Sequence, residues 1–475
     1  MGLKNILSGM VKSKSENTLA FFNILGPVVL NGINFFTIPI FTRMLGPANF
    51  AIVQVYIAWV QILTLIIGLQ TVSSIGVARV HISADKQTQY RSSILSLSFV
   101  SLIGVSLLLL IFIRPVTRFL NLSTVMVGIM ILQSFGAYVI SFATTTFTYD
   151  KKAQKTFLLS VSTAFATVAL SLVLLFLTPD NGSDKAFARI WGIALPNALI
   201  GAVLFAIFLV RGKTTFSREY WKFCLPLALP LIFHGLSHII LSQTGKVMLQ
   251  KMVNNDVAGV YSFVVVLTGL VNVIWVALNN TWVPFYYDDM NNGDRELVVK
   301  KTRNYTLLFT ALTAGFILLS PEVAMLFASP EFWSGIDLIP VCTVSMFMVF
   351  LYSFPVNFQM FHKKSIHVAV GTALAAAINI VLNLLLIPSL GMLGTAVATM
   401  AAYTALFIFH QLIAKYVIRQ GYHFSARDYA PAILAVGASV AVFYLLKDFW
   451  YIRWAMGAAM GVWLLRRIIK NKTIF

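Results

Sequence analysis

Acidic side chains are scarce in this chain, with 16 Asp and Glu against 35 Lys and Arg in 475 residues. Charged residues of both signs make up only 11% of the composition, where a soluble domain carries roughly 25%. Hydrophobic residues make up 59%, and the mean hydropathy is +0.84. So little charge cannot cover the surfaces of the several soluble domains this length would otherwise imply. Cysteine is nearly absent too. Cys224 and Cys342 lie in or beside apolar segments and offer neither a disulfide framework nor a zinc cluster. Long polar connections are missing as well: the largest, from about Pro284 to Arg303, is too short to fold alone. An enzyme such as a membrane polymerase or glycosyltransferase would need a larger exported segment, so catalysis is not expected.

Cofactor and metal motifs are equally lacking. His234 and His238 stand four apart, but residue 235 is Gly where a zinc-binding HExxH helix needs Glu. Asp288, Asp289 and Asp294 do not have the spacing of a magnesium–diphosphate motif, and no P-loop or nucleophile elbow occurs. No cofactor and no metal are therefore expected. The net charge of +19 is spread in short clusters between apolar runs rather than in one basic arm, which excludes nucleic acid as a partner.

What the chain has instead is apolar runs of about 20 residues, the length that crosses a hydrocarbon core of roughly 30 Å. They read as about fourteen spans, from 19–42 to 449–465, and define an all-α polytopic membrane protein. With the N-terminus inside, alternate connections collect 26 of the 35 basic residues and the opposite connections 8. The remaining one, Lys246, falls within a span. This bias is the positive-inside pattern, and it predicts a multi-pass protein of a bacterial inner membrane with both termini cytoplasmic.

The chain also matches itself weakly at an offset of 208. Arg43, Met44, Ala51 and Ile52 align with Lys251, Met252, Gly259 and Val260; Lys155 aligns with Lys363; Arg211, Phe216 and Ser217 align with Arg419, Phe424 and Ser425. Each copy holds six spans and so keeps the same orientation, the arrangement of parallel repeats with a substrate path at their interface. The predicted organisation is a cytoplasmic segment 1–18, a first lobe 19–217, a second lobe 218–427, and a pair of extra helices with a basic tail over 428–475.

Ionisable groups at bilayer depth cost at least about 2.5–3.5 kcal/mol and are functional candidates. None of the acids falls deep within a span, which disfavours a proton or sodium relay. Basic and imidazole groups concentrate in the seventh span, where Pro226, Pro230, His234, His238, Ser242 and Lys246 recur every fourth residue. The prolines should kink or open this helix. Lys246 offers a point charge for a phosphate, and the histidines are cargo contacts or satisfied interhelical contacts. At the exported end of that helix, Lys251 repeats the position of Arg43. Amides accompany them: Asn31 and Asn34 in the first span, Gln54 and Gln61 in the second, Asn272 and Asn279 in the eighth. Each amide suits a hydroxyl-rich cargo and serves equally as interhelical glue. Tyr403, His410, Asn379 and Asn383 read as packing contacts.

The run Pro39-Ile40-Phe41-Thr42-Arg43-Met44-Leu45-Gly46-Pro47 resembles the end of the first helix in polysaccharide exporters. Lys251…Val257-Ala258-Gly259-Val260-Tyr261 resembles its second-repeat counterpart, and Lys151-Lys152 the basic loop after the fourth helix. The chain is similar over its whole length to Wzx-type O-antigen flippases of the multidrug/oligosaccharidyl-lipid/polysaccharide (MOP) exporter superfamily. That resemblance implies two six-helix lobes in a V shape plus two extra helices. It also implies a cationic cavity accepting the pyrophosphate of an undecaprenyl-linked oligosaccharide, with the lipid tail left in the bilayer. The implied partners are this lipid-linked substrate, membrane lipids, and polysaccharide polymerase and chain-length machinery. A cation-coupled multidrug antiporter of the same superfamily is the alternative, though it should carry a buried carboxylate.

Overall fold

The computed structural model describes residues 16–419 and 426–471. Residues 1–15, 420–425 and 472–475 lie outside the described residues, and with them Lys4, Lys12, Lys14, Phe424, Ser425 and Lys472. The side chains of Asn31 and Asn34 also lie outside them, although their backbone is helical. The described residues form fourteen α helices and no strand, as the apolar runs predict. The helices are α1 (Glu16–Gly68), α2 (Ser74–His81), α3 (Gln87–Ile111), α4 (Ile113–Leu120), α5 (Thr124–Tyr149), α6 (Ala153–Leu177) and α7 (Asp184–Gly212). They continue with α8 (Arg218–Met252), α9 (Asn255–Asn291), α10 (Arg295–Phe327), α11 (Ile339–Phe361), α12 (Ser365–Leu412), α13 (Ala426–Leu445) and α14 (Trp450–Asn471).

Eleven stretches are long and apolar enough to cross a membrane. Two helices hold two crossings each, because a glycine turns the chain inside them. Gly46 (φ 63°) interrupts α1 and Gly391 (φ 55°) interrupts α12. Both angles lie in the left-handed region that only glycine enters without strain. Pro47, directly after the first break, restarts the helix at the one position where a missing N–H costs nothing. Pro226 and Pro230, where the sequence expects a kink or a locally opened ladder, both lie inside the continuous helix α8. A ring that deletes one hydrogen bond is tolerated there, whereas a reversal of direction needs a left-handed residue. The longest predicted connection, 284–303, also shrinks, since α9 extends to Asn291 and α10 begins at Arg295.

The chain forms two compact units. One comprises Met1–Met44 and Ile52–Ile239, the other Leu45–Ala51 and Ile240–Phe475. In the first, α5 and α7 pack through glycine: a Cβ at Gly136 or Gly201 would overlap the facing helix backbone. A buried network fixes the bend after α1, with the Thr71 hydroxyl 2.7 Å from Tyr138 Oη and Ser98 Oγ donating to the same Tyr138 oxygen at 2.7 Å. At one end of this unit Asp150, the C-cap of α5, accepts from Arg91 Nη2 at 2.6 Å and Nη1 at 3.0 Å, and from Lys152 at 3.2 Å. Arg79 adds a third cation at 3.8 Å. The node ties the α2–α3 connection to the α5–α6 connection, two segments the charge bias assigns to one side.

In the second unit the aromatic core of α9, α10 and α11 is built on Trp282, Tyr305, Phe309, Phe350 and Phe354. Helices α13 and α14 are pinned to it. Arg453, 1% exposed, bonds Glu322 Oε2 at 3.2 Å and the Leu318 carbonyl at 2.7 Å, and Lys447 pairs with Asp337. Segment 45–51 packs into this unit as well: Phe50 meets Phe332 edge-on, and Gly259 lies so close to Pro47 that a Cβ would overlap its carbonyl.

The backbone repeats itself at the helix ends. Lys151 N–H donates to Thr148 O at 3.0 Å and Lys152 N–H to Phe147 O at 2.8 Å. In the other unit Lys363 donates to Met360 at 3.0 Å and Lys364 to Gln359 at 2.9 Å, with φ 57° at Lys151 and 58° at Lys363. Both are the paired C-terminal closure in which a left-handed residue satisfies the last carbonyls. Lys213 and Arg419, left-handed at 52° and 61°, close α7 and the short π-helical end of α12. The sequence aligned Lys155 with Lys363; the turn geometry pairs Lys151 with it instead, a shift of four residues.

Two outcomes follow from this packing. Gly259→Ala is expected to destabilise the protein by about 1–3 kcal/mol, the usual cost of overpacking, read as a lower thermal midpoint in detergent. Burial opposes ionisation of Asp150, but its bonds to Arg91 and Lys152 outweigh that and hold its carboxyl below the ordinary range. Its contribution is present above the ordinary carboxylate pKa and disappears as pH falls through the lowered value. Acid titration of the melting point should therefore show a component that Asp150→Asn abolishes.

Candidate functional site

Helix α8 carries the predicted stripe from exposed to buried surroundings. His238 is exposed; His234 is half-buried, with Nδ1 enclosed and without a hydrogen-bond partner among the described residues. Ser242 is half-buried and accepts from Gln243 at 3.4 Å. Lys246, two turns beyond His238, is only 5% exposed. A fourfold spacing advances about 40° per step on a regular helix, which is why a single stripe winds from surface to interior.

Lys246 is the unusual member. Its ammonium makes no hydrogen bond and no ion pair with any described residue. The preceding residue, Gly245, has no room for a Cβ, because Thr395 and Tyr261 lie against it. Polar groups follow on α12: Asn379 Nδ2 donates to Thr399 Oγ1 at 3.3 Å, and Asn383 Nδ2 donates to Asn379 Oδ1 at 3.0 Å. Thr395 Oγ1 and Asn383 Oδ1 stay buried without partners among the described residues. Further along, Gln359 Nε2 donates to the His410 carbonyl at 3.1 Å, and His410 stacks loosely on Tyr352. The asparagines, Tyr403 and His410 that the sequence reads as packing contacts are buried: the asparagines bond each other, His410 bonds Gln359, and Tyr403 stacks on Tyr352.

The other predicted residues are less enclosed. Arg43, Lys251 and Gln61 are exposed, and Asn272 is half-buried on α9, about two turns along the same face from Asn279, which accepts from Asn357 at 3.3 Å. Within its own unit each keeps its predicted helix position. Of the predicted site residues whose side chains are described, the structure buries Lys246 alone.

Three cations were assigned to loops and lie inside instead. Arg189 sits one turn into α7, with its guanidinium 3.6 Å above the Phe41 ring, bonded to Ser171 Oγ and within 3.4 Å of Thr167 O. Arg91 and Arg453 are 8% and 1% exposed. Buried positive charge is therefore not confined to the seventh span. The missed signal is positional: Arg189 already fell within the predicted span 187–210. Unlike Lys246, all three have partners. Among the described residues the one buried acid, Asp289, lies near the end of α9 and is held by Lys301 at 2.7 Å.

This arrangement can attract an anion to Lys246 and present amides and hydroxyls beside it. Because its charge is uncompensated, Lys246→Met should leave the fold intact and raise stability by about 1–3 kcal/mol, seen as a higher thermal midpoint. A lower midpoint would mean that the ammonium has a structural partner.

A family model described as polysaccharide biosynthesis protein matches residues 19–288. Among solved structures, lipid II flippase MurJ in an inward closed conformation aligns with a TM-score of 0.66 at 14% identity, covering 95% of this chain and 99% of that one. An inward-facing multidrug resistance transporter of the MATE family aligns at 0.58 and 15% identity, covering 84% and 99%. A MOP superfamily transporter from Pyrococcus furiosus, described as having a binding pocket of reversed polarity, aligns at 0.56 and 14% identity, covering 82% and 94%. No curated protein matches the chain. The fold is that of the MOP superfamily, in agreement with the resemblance carried by Pro39–Pro47.

Proposed function

The chain belongs to the polysaccharide biosynthesis protein family, and from that premise we propose that it is a flippase for a lipid-linked oligosaccharide. The cargo is an undecaprenyl-pyrophosphate-linked O-antigen or related repeat unit, carried from the cytoplasmic to the periplasmic leaflet of a bacterial inner membrane by alternating access. Both termini are cytoplasmic in this reading, following the 26 to 8 bias of basic residues.

The observation that carries the proposal is Lys246. A buried cation without a counter-charge among the described residues is costly on its own. That cost becomes useful when an anionic headgroup supplies the missing charge at one stage of a cycle. A pyrophosphate fits, because a compact ammonium donates three hydrogen bonds without demanding one planar geometry. The sugars would meet amides and hydroxyls of the kind that α9, α11 and α12 provide, each a weak and exchangeable contact suited to release. Polysaccharide polymerase and chain-length machinery are the partners expected to receive the exported unit.

A cation-coupled multidrug antiporter is the second reading, favoured by the MATE likeness. It lacks the buried, uncompensated carboxylate such coupling needs, since Asp289 is already paired with Lys301. The MATE alignment also covers 84% of this chain against 95% for the MurJ alignment.

Transport is measured in proteoliposomes holding the purified full chain and a labelled lipid-linked repeat unit, following the label's sidedness under several ion gradients. The parent is expected to equilibrate the label, Lys246→Ala to slow it at least about tenfold, equal to about 1.4 kcal/mol, and Lys246→Arg to retain part of the rate. No movement by the parent under any gradient would sink the flippase reading. Equal rates for Lys246→Ala and the parent would remove Lys246 from the mechanism.

A further inference from the structure

The basic residues of the minority side pose a separate question, because arginine on the exported face works against the charge bias that orients the chain. Two of the eight, Arg114 and Arg118, stand one turn apart on α4. The chain leaves α3 through a bend at Phe112 (φ −101°, ψ 24°), makes the eight-residue α4, and closes it with a left-handed Asn121. Leu122 N–H then donates to Thr117 O at 3.1 Å, and Ser123 caps α5 by accepting from Met126 N–H at 3.3 Å. The result is a polar cavity of about 520 Å³ lined by Arg114, Thr117, Arg118, Asn121, Leu122 and Ser123.

Its charge is uncompensated in this unit. Neither guanidinium makes a hydrogen bond or ion pair with a described residue. The first turn of the 26-residue α5, whose positive dipole end adjoins the cavity, contains no acid. Separated by four helical residues, the two arginines rise about 6 Å along α4, a span over which both can reach one phosphate. Thr117 and Asn121 add a hydroxyl and an amide. Neighbouring positions in the chain are apolar and exposed: Ile111, Phe112, Phe119 and Val125, with Leu107 and Leu108 exposed on α3.

We propose that this cavity binds the phosphodiester headgroup of an anionic bilayer phospholipid, with its acyl chains lying along the exposed face of α3. The proposal is independent of the cargo reading. Helix α3, 25 residues long, separates the cavity by about 37 Å from the Asp150 node at its other end, and none of the predicted cargo residues lines it. The site would fix the depth of α4 at the membrane surface, since a bound headgroup repays two guanidinium groups that otherwise face the exported side alone.

Native mass spectrometry of the full chain in detergent tests this with phosphatidylglycerol and phosphatidylcholine of identical acyl chains. The parent should retain phosphatidylglycerol in preference. Arg114→Gln with Arg118→Gln should lower that retention by about tenfold, given roughly 1 kcal/mol per surface cation, while phosphatidylcholine retention stays unchanged. Arg114→Lys with Arg118→Lys should fall between, and Lys185→Gln, elsewhere among the minority-side cations, should match the parent. Circular dichroism and gel filtration establish that each variant is folded. Equal phosphatidylglycerol retention in the parent and the double glutamine variant overturns the proposal. So does displacement of the lipid by millimolar inorganic phosphate that binds the parent equally well, because the ligand would then be free phosphate.

Discussion

A charge inside an apolar protein must be balanced or must be waiting for something, and this chain contains both cases. Arg453 is sealed against Glu322 and three carbonyls, Arg91 is forked onto Asp150, and Arg189 lies on an aromatic face with a hydroxyl at its tip. Each has exchanged hydration for fixed partners, and each joins helices that must hold together. Lys246 has exchanged hydration for none among the described residues. Burial without compensation is tolerable only because the unit that holds Lys246 is stabilised by other means, chiefly aromatic packing among α9, α10 and α11.

The contrast explains how arginine and lysine divide their duties here. Guanidinium offers five donors in a rigid fork, which suits several simultaneous acceptors, as at Arg91, Arg189 and Arg453. An ammonium on a flexible stem can turn toward a ligand and away again at little cost. Arg114 and Arg118 use the arginine geometry differently, at a surface where the acceptors come from outside the chain.

Much of the architecture could be read from the sequence because the membrane imposes few rules and applies them strictly. Run length gave the spans, and alternate loops gave the sidedness expectation. Short motifs such as Phe41-Thr42-Arg43 and Leu45-Gly46-Pro47 pointed to the superfamily whose fold the structure has. The weak offset match led to the expectation of a duplication, and the same closing hydrogen bonds occur at Lys151–Lys152 and Lys363–Lys364. What could not be read was pairing. Nothing near Arg453 in the sequence announces Glu322, and Arg189 sat too close to a predicted helix end to be recognised as interior. Pro226 and Pro230 lie within one continuous helix, and the two interruptions at Gly46 and Gly391 fall in the gaps between predicted spans. Of the predicted site, burial distinguishes Lys246 from its neighbours, a property that hydropathy alone could not assign to one residue of a stripe.

The break at Gly46 has a bearing on how such a protein can be divided. Seven residues, Leu45 to Ala51, are packed as part of the second unit although the chain on both sides of them belongs to the first. Severing the polypeptide between Ile239 and Ile240 would therefore not yield two self-sufficient pieces. The front fragment would carry away a plug that the rear fragment needs beneath Phe332 and Gly259, leaving each piece with an unfilled apolar surface. The boundary between the two units is thus not a single point in the sequence, so expression and folding must treat the chain as one.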